Sequence, residues 1–340
     1  MTVTATTTGS ALAWDDSVLP FQLDHSGLRG RVVRLGGALD RILGARGYAP
    51  AVEGLVAEAA LVAALIGQMV KLRWRLSLQI RGTGPVRLVA ADYFAPEEPG
   101  ATARIRACAD LARDGAAEAP AAEARGVAGR SGEWGAGDAF ALLGEGHMAV
   151  TLDQGPGTLP HQGLIALDPA GIAASASAYF ARSEQIPTRF ALAQSCTGGN
   201  GANRRAGGLM VQLMPGTDAP GRHADTLSGR DTEDWTRANL LLDTVEAEEL
   251  AGPDPSPPEL LLRLFHEEGP RVFEAQPLRF GCTCSEEKLR ATLAVHGADE
   301  IAGMTDASGR VTADCHFCGA HYVMDPTSLG READAERPRT

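Results

Sequence analysis

The chain has 340 residues, 44% of them apolar and 22% charged, and a net charge of −12. That composition is ordinary for a soluble globular protein, and the length suits one large or two ordinary domains with ample chain for a core. The charge excess is acidic and uneven: residues 217–280 hold 14 acidic against 6 basic side chains, residues 281–330 hold 7 against 3, and the rest balances. An acidic end of this kind does not suit a phosphate backbone.

The N-terminus, MTVTATTTGSALAWDD, has neither a basic start nor an apolar run, so residues 1–14 read as a disordered tail and no secretory signal is expected. A cytoplasmic location follows as the expectation. Residues 15–216 then read as a core in which strand and helix signals are mixed. A short strand over 31–35 leads into a helix, and a longer apolar helix runs from about 52 to 69. That helix carries Glu58 and falls short of a comfortable membrane span, so a buried core helix is expected.

RWRLSLQIRG alternates, with Trp74, Leu76, Leu78 and Ile80 on one face and Arg75, Ser77, Gln79 and Arg81 on the other. GTGP turns the chain into VRLVAADY, which alternates again and predicts a hairpin. Residues 111–137 are rich in Ala and Gly and read as an insertion or loop. HMAVTLDQGPG and HQGLIALD read as strands, PAGIAASASAYFARSE as a helix, and TRFALAQS and GGLMVQLMPG as further strands. Irregular mixing of this kind predicts an α+β fold rather than a doubly wound one.

After Pro215 the character changes. Residues 217–280 form an acidic connector with two apolar helical patches, ANLLLDTVEAEEL and PELLLRLFHEE, separated by AGPDPSPP. Patches of this kind need a surface, and in the resting protein they are expected to pack on the core. Leu240, Leu241, Leu242, Leu261, Leu264 and Phe265 are the apolar residues they would offer to another protein or a second subunit if they came loose.

Four of the six cysteines lie at the end, as FGCTC and ADCHFCGAHYVMD. Two close pairs of thiols are the usual way to deliver four soft ligands to one tetrahedral zinc ion. Cys315 and Cys318 with the following Gly make a tight knuckle, and strand period points Cys282 and Cys284 to one side. Ser285 is placed to cap a helix with Glu286 and Glu287 in its first turn, Leu289 and Leu293 on one face and Gly297 beyond its end. DASGRVTADC reads as a turn into a strand. A compact zinc domain over 281–330, followed by a tail over 331–340, is therefore expected. His296, His316 and His321 are surplus to a complete tetrahedron, and Cys108 and Cys196 have no close partner in sequence. Permanent disulfides conflict with the expected reducing compartment, and a thioredoxin-like redox pair belongs in a βαβ unit, where CHFC does not sit; both are weaker readings.

The Cys-x-Cys and Cys-x-x-Cys pattern resembles that of the bacterial redox-regulated 33-kDa heat-shock chaperone family. LQIRGTGPVRLVAADY, TLDQGPG, YFARSEQIPTRFALA and GGLMVQLMPG are similar to blocks of that family in the same order, and LLLRLFHEE before FGCTC is similar to its linker. The resemblance spans about residues 20–330. The segment 111–137, the N-terminal extension and the long stretch before DWTRANLLL depart from the family pattern.

What the resemblance implies is a chaperone of the holdase type, not an enzyme, that uses no ATP. Reduced, Cys282, Cys284, Cys315 and Cys318 would hold one Zn2+ and the chaperone would be off. Oxidation would release zinc, form the disulfides Cys282–Cys284 and Cys315–Cys318, and unfold the linker and zinc domain so that unfolding client proteins bind. Dimerisation of the active form, transfer of clients to ATP-dependent foldases, and a part in the stress response are implied in the same way. A zinc-ribbon nucleic-acid module and a thiol–disulfide oxidoreductase are the alternatives. The acidic 281–330 segment argues against the first. No nucleotide loop is read, since GGNGANRRAGG lacks the Lys-Ser/Thr ending.

Overall fold

The computed structural model describes residues 14–44, 46–98, 100–112, 139–196, 204–214 and 229–331. Residues 1–13, most of the 111–137 segment, the junction near 216 and the tail after 331 lie outside the described residues. The chain divides into two compact units, Met1–Phe280 and Gly281–Thr340.

The first unit is α+β, as expected. Its strands are β1 (Ser17–Leu23), β2 (Leu28–Leu35), β3 (Arg75–Gly82), β4 (Val86–Phe94), β5 (Ala103–Leu111), β6 (Gly146–Asp153), β7 (His161–Ala166), β8 (Thr188–Cys196), β9 (Arg204–Leu213), β10 (Pro270–Val272) and β11 (Gln276–Phe280). They form one sheet in the order β7-β6-β3-β4-β5-β11-β1-β2-β9-β8, with β10 also paired to β1. Every pairing is antiparallel except β5 with β11. The helices are α1 (Gly37–Leu43), α2 (Pro50–Met69), α3 (Ile172–Tyr179), α4 (Gly229–Leu242), α5 (Ala247–Ala251) and α6 (Pro257–Phe265).

Helix α2 organises the main core. It starts on a proline in its first turn, where the missing N–H costs nothing, and it is apolar on nearly every side. It packs on β2, β3, β4, β5 and β9. Of its most apolar window 83% is buried inside the protein, so a length and hydropathy suited to a membrane serve a core helix here. Gly67 lets it approach the sheet closely, because a Cβ there would stand 2.3 Å from the Tyr93 ring.

The β3–β4 hairpin forms as read, with Leu76, Leu78 and Ile80 buried against α2. Trp74 departs from the expected face. It precedes β3 and is 43% exposed, with the Arg75 guanidinium over its ring. Strands β1, β5, β10 and β11 were not legible in the sequence.

Strands β1, β2 and β9 are apolar on both faces. Val18, Val33, Leu35 and Met210 face the α2 core, while Leu19, Phe21, Val32, Leu209, Val211 and Leu213 belong to a second core on the opposite face. The second core is completed by Ala238 and Leu242 of α4, Leu250 of α5, and Leu260, Leu261, Leu264 and Phe265 of α6. The acidic connector thus packs on the sheet, as expected of its resting state. The Phe21 and Phe265 rings stack at 6.1 Å. Helix α6 is started by Ser256, whose N–H donates to the Glu259 carboxylate at 2.8 Å, with Pro257 in the first turn. Farther along, Glu268 accepts from Arg237 at 2.6 Å, and its backbone carbonyl accepts from His25 N–H at 3.0 Å, tying the connector to the β1–β2 turn.

The second unit is built from α7 (Glu286–Leu293), α8 (Ala298–Gly303) and the antiparallel hairpin of β12 (Val311–Asp314) with β13 (His321–Met324). Its core is small: Ile301, Val311, Met324 and Leu329 are buried, with Leu289 and Leu293 packed against them. Gly297 lies beyond the end of α7, as the sequence suggested. It precedes α8, and its N–H donates to Glu300 at 2.9 Å.

Candidate metal centre

The four C-terminal cysteines converge. One Sγ from each of Cys282, Cys284, Cys315 and Cys318 lies within 4.8 Å of all the others. The closest approaches run between the two pairs, Cys282 to Cys315 at 3.6 Å and Cys284 to Cys318 at 3.3 Å. A tetrahedral zinc with bonds of ~2.3 Å needs sulfurs roughly 3.8 Å apart, so the donor set is close to the size of one such ion. All four residues are half-buried, and no histidine belongs to the group among the described residues.

Local structure explains the convergence. Residues 315–320 form a knuckle at the tip of the β12–β13 hairpin. Gly319 N–H donates to the Cys315 carbonyl at 2.9 Å, and Cys315 N–H donates to the Ala320 carbonyl at 2.9 Å. Gly319 has φ +70°, the left-handed region that glycine enters without a Cβ penalty. The opposite segment, 281–285, is irregular rather than the strand that the Cys-x-Cys spacing suggested. Its two sulfurs are nonetheless delivered to one place, because Cys284 N–H bonds back to Cys282 Sγ. Ser285 caps α7 as expected, accepting from Lys288 N–H at 3.2 Å, and Lys288 Nζ reaches back to the Thr283 carbonyl at 2.6 Å.

Among these thiols the proton affinities are pulled apart. Burial opposes ionisation of Cys282, but hydrogen bonds from Cys284 N–H and from the other three thiols prevail and hold its pKa down at about 7. Burial, reinforced by Cys284, Cys315 and Cys282, pushes Cys318 up to about 12. Cys284 is raised by burial, against a hydrogen bond from Tyr322. That same hydrogen bond, to Cys284, pushes the Tyr322 phenol up to about 12. A cluster in which one thiolate is stabilised by its neighbours is primed to take a soft cation, and thiolates are also the form that oxidants attack.

Tyr322 was not singled out from sequence. The clue was its place on β13, paired with Ala313 one residue before the end of β12, which brings it beside the knuckle. Two of the surplus histidines are engaged elsewhere: His321 Nδ1 meets Asp314 at 2.8 Å, and His296 Nδ1 lies 3.4 Å from Glu300. Cys108 is buried in β5. Cys196 ends β8, and its side chain lies outside the described residues.

Of the connector residues expected to meet clients, Leu242, Leu261, Leu264 and Phe265 are buried in the second core, Leu241 packs at its margin, and Leu240 is 64% exposed. Their neighbour is the β1-β2-β9 face. The sequence could not show what they cover.

A family model described as Hsp33 protein matches residues 16–325. The 33 kDa chaperonin of Caulobacter vibrioides is 36% identical over 325 residues, covering 92% of this chain and 95% of its own. That of Neisseria meningitidis serogroup B is 32% identical over 309 residues, covering 91% and 88%. The crystal structure of a 33 kDa chaperonin from Thermotoga maritima, a heat shock protein 33 homologue, matches with a TM-score of 0.72 at 22% identity, over 94% of this chain and 97% of that one. At that identity the structural match speaks for the fold alone.

Proposed function

The chain belongs to the Hsp33 family, whose members are chaperones rather than enzymes, and from that premise we propose that it is a cytoplasmic, ATP-independent holdase switched on by oxidation. The observation that supports this most is the four-thiol cluster in a unit whose own core is so small. When bound, Zn2+ would supply about 10–16 kcal/mol of folding free energy to residues 281–330, which a core of four buried side chains cannot replace.

The switch would lie in the sulfurs. Cys282 and Cys284 close one disulfide, and Cys315 and Cys318 close another. Each bond forms as two thiolates give two electrons to one peroxide, which takes up two protons and leaves as two waters. Disulfide sulfurs no longer carry the negative charge that holds a cation. Residues 281–330 then lose their metal-dependent fold. The acidic connector, continuous with them through Phe280, would follow, freeing Leu242, Leu261, Leu264 and Phe265 and the sheet face beneath for unfolding proteins. Dimerisation of the open form and release of clients to ATP-dependent foldases on reduction complete the proposal.

The test is to purify the reduced protein, add peroxide or hypochlorite, and follow zinc release alongside suppression of aggregation of a denatured protein. Both should rise together, and also in a variant with Cys108 and Cys196 changed to Ser. Zinc release without any holdase activity, or loss of switching in the folded double variant, refutes the assignment. The acidity of 281–330 argues against a nucleic-acid module, which filter binding to DNA and RNA would reveal.

A further inference from the structure

The sheet face under the connector is apolar along β1, β2 and β9 except at one end. There, strand pairing sets Gly207 of β9 directly opposite Arg34 of β2. Arg205 lies two residues from Gly207, so all three share that face. Arg34 is only 2% exposed and is the largest fully buried side chain among the described residues. It donates from Nε to the Leu250 carbonyl at 3.2 Å, from Nη1 to Pro253 at 3.1 Å, and from Nη2 to Glu249 at 2.9 Å and to Pro255. Arg205 donates from Nε to the Ala251 carbonyl at 2.8 Å and from Nη2 to Gly252 at 3.4 Å, while both Nη groups pair with Asp15.

These acceptors are the carbonyls at and beyond the C-terminus of α5. A helix leaves such carbonyls without partners inside itself, and its dipole makes them partly negative. Two guanidiniums are well matched to that end, because each presents several N–H groups in a fixed fork. Gly207 provides the room between them. A Cβ at 207 would stand 1.9 Å from the Leu250 oxygen and 2.4 Å from its carbonyl carbon, both backbone atoms that no rotamer change can move aside. Burial, with Arg205 beside it, draws the Arg34 pKa down to about 10, against the pull of Asp15 and Asp254. The carbonyls are what satisfy this buried cation directly, and it loses all of them together if the segment lifts.

We infer that Arg34, Gly207 and Arg205 form a clasp for the C-terminal end of α5, which fixes the acidic connector over the apolar sheet face and sets how readily that face is uncovered. The clasp lies wholly within the first unit. Its link to chaperone activity rests on the proposed function, whereas its effect on the connector does not.

The test uses the full, reduced, zinc-loaded chain with Gly207→Ala and, separately, Arg34→Lys, which keeps the charge but cannot span four carbonyls. Amide hydrogen exchange is read for residues 247–265, with residues 75–94 and the zinc content as internal references. Gly207→Ala should speed exchange in 247–265 at least tenfold while the β3–β4 hairpin and one zinc per chain are retained. Arg34→Lys should act in the same direction and less strongly. Unchanged exchange in 247–265, or loss spread evenly over the first unit, overturns the clasp. If Gly207→Ala is insoluble, Arg34→Lys decides alone by the same criteria. Aggregation suppression is measured separately on oxidised wild type. Its absence, with 247–265 loosened in the variants, refutes the chaperone reading and leaves the clasp standing. Its presence, with 247–265 unmoved, does the reverse.

Discussion

Replacing Leu261 by Ser should open the connector without disturbing the rest of the first unit. Leu261 is fully buried in the second core, with Phe21, Leu23 and Phe265 as fellow members. Removing a buried leucine costs about 2–5 kcal/mol, and a serine hydroxyl left without a partner keeps the loss in the upper half of that range. If that cost falls on local opening of α4 to α6, amide exchange in 257–268 of the reduced protein accelerates by roughly 300- to 4,000-fold, since ~1.4 kcal/mol is tenfold. Residues 75–94 belong to the other core and should keep their protection. Leu240→Ser is the control, since Leu240 is 64% exposed and its loss should matter by less than ~0.5 kcal/mol. Exchange measured by mass spectrometry on both variants decides the matter. An even loss of protection across the first unit would mean that the connector is inseparable from the core. Equal effects of the two substitutions would mean that burial does not govern the opening.

Metal analysis of the reduced protein should give one zinc per chain, and Cys315→Ser combined with Cys318→Ser should abolish it; full retention would falsify the four-thiol site. Burial of Glu58 on α2 raises its pKa to about 7 from the usual 4.5. Between those values the folded state binds more protons than the unfolded, so stability falls as pH rises from about 4.5 to beyond 7. The loss is at most about 3 kcal/mol, because the side chain keeps some access to solvent. Glu58→Gln should flatten that dependence and stabilise the protein at pH 8. Urea unfolding at pH 5.5 and 8 checks it, and an unchanged slope in the variant refutes the role of Glu58.

The four-thiol cluster was legible because its information is local. Two close cysteine pairs, Gly319 after the knuckle and Ser285 before α7 each act within a few residues, so their spacing already carries the geometry. The same holds for α2, whose unbroken apolar length needs burial whatever surrounds it, and for the β3–β4 hairpin around GTGP. Strands β1, β5, β10 and β11 were missed because a strand's partners are remote in sequence. β11 lies between β5 and β1, from which it is separated by more than 150 and 250 residues.

Strand β9 was read as a strand, but its residues could not reveal that both faces are covered, one by α2 and the other by the connector. Nothing local in the sequence sets Arg34 apart within the 31–35 strand, or Gly207 apart at the start of GGLMVQLMPG. Only the tertiary structure brings residues 249–255 onto them, and only then does the absent Cβ at 207 become a seat and the Arg34 side chain a buried donor. Local chemistry determined which atoms could hold a metal. Long-range packing decided what holds the apolar face closed, because a buried cation takes its meaning from the acceptors that the rest of the chain delivers to it.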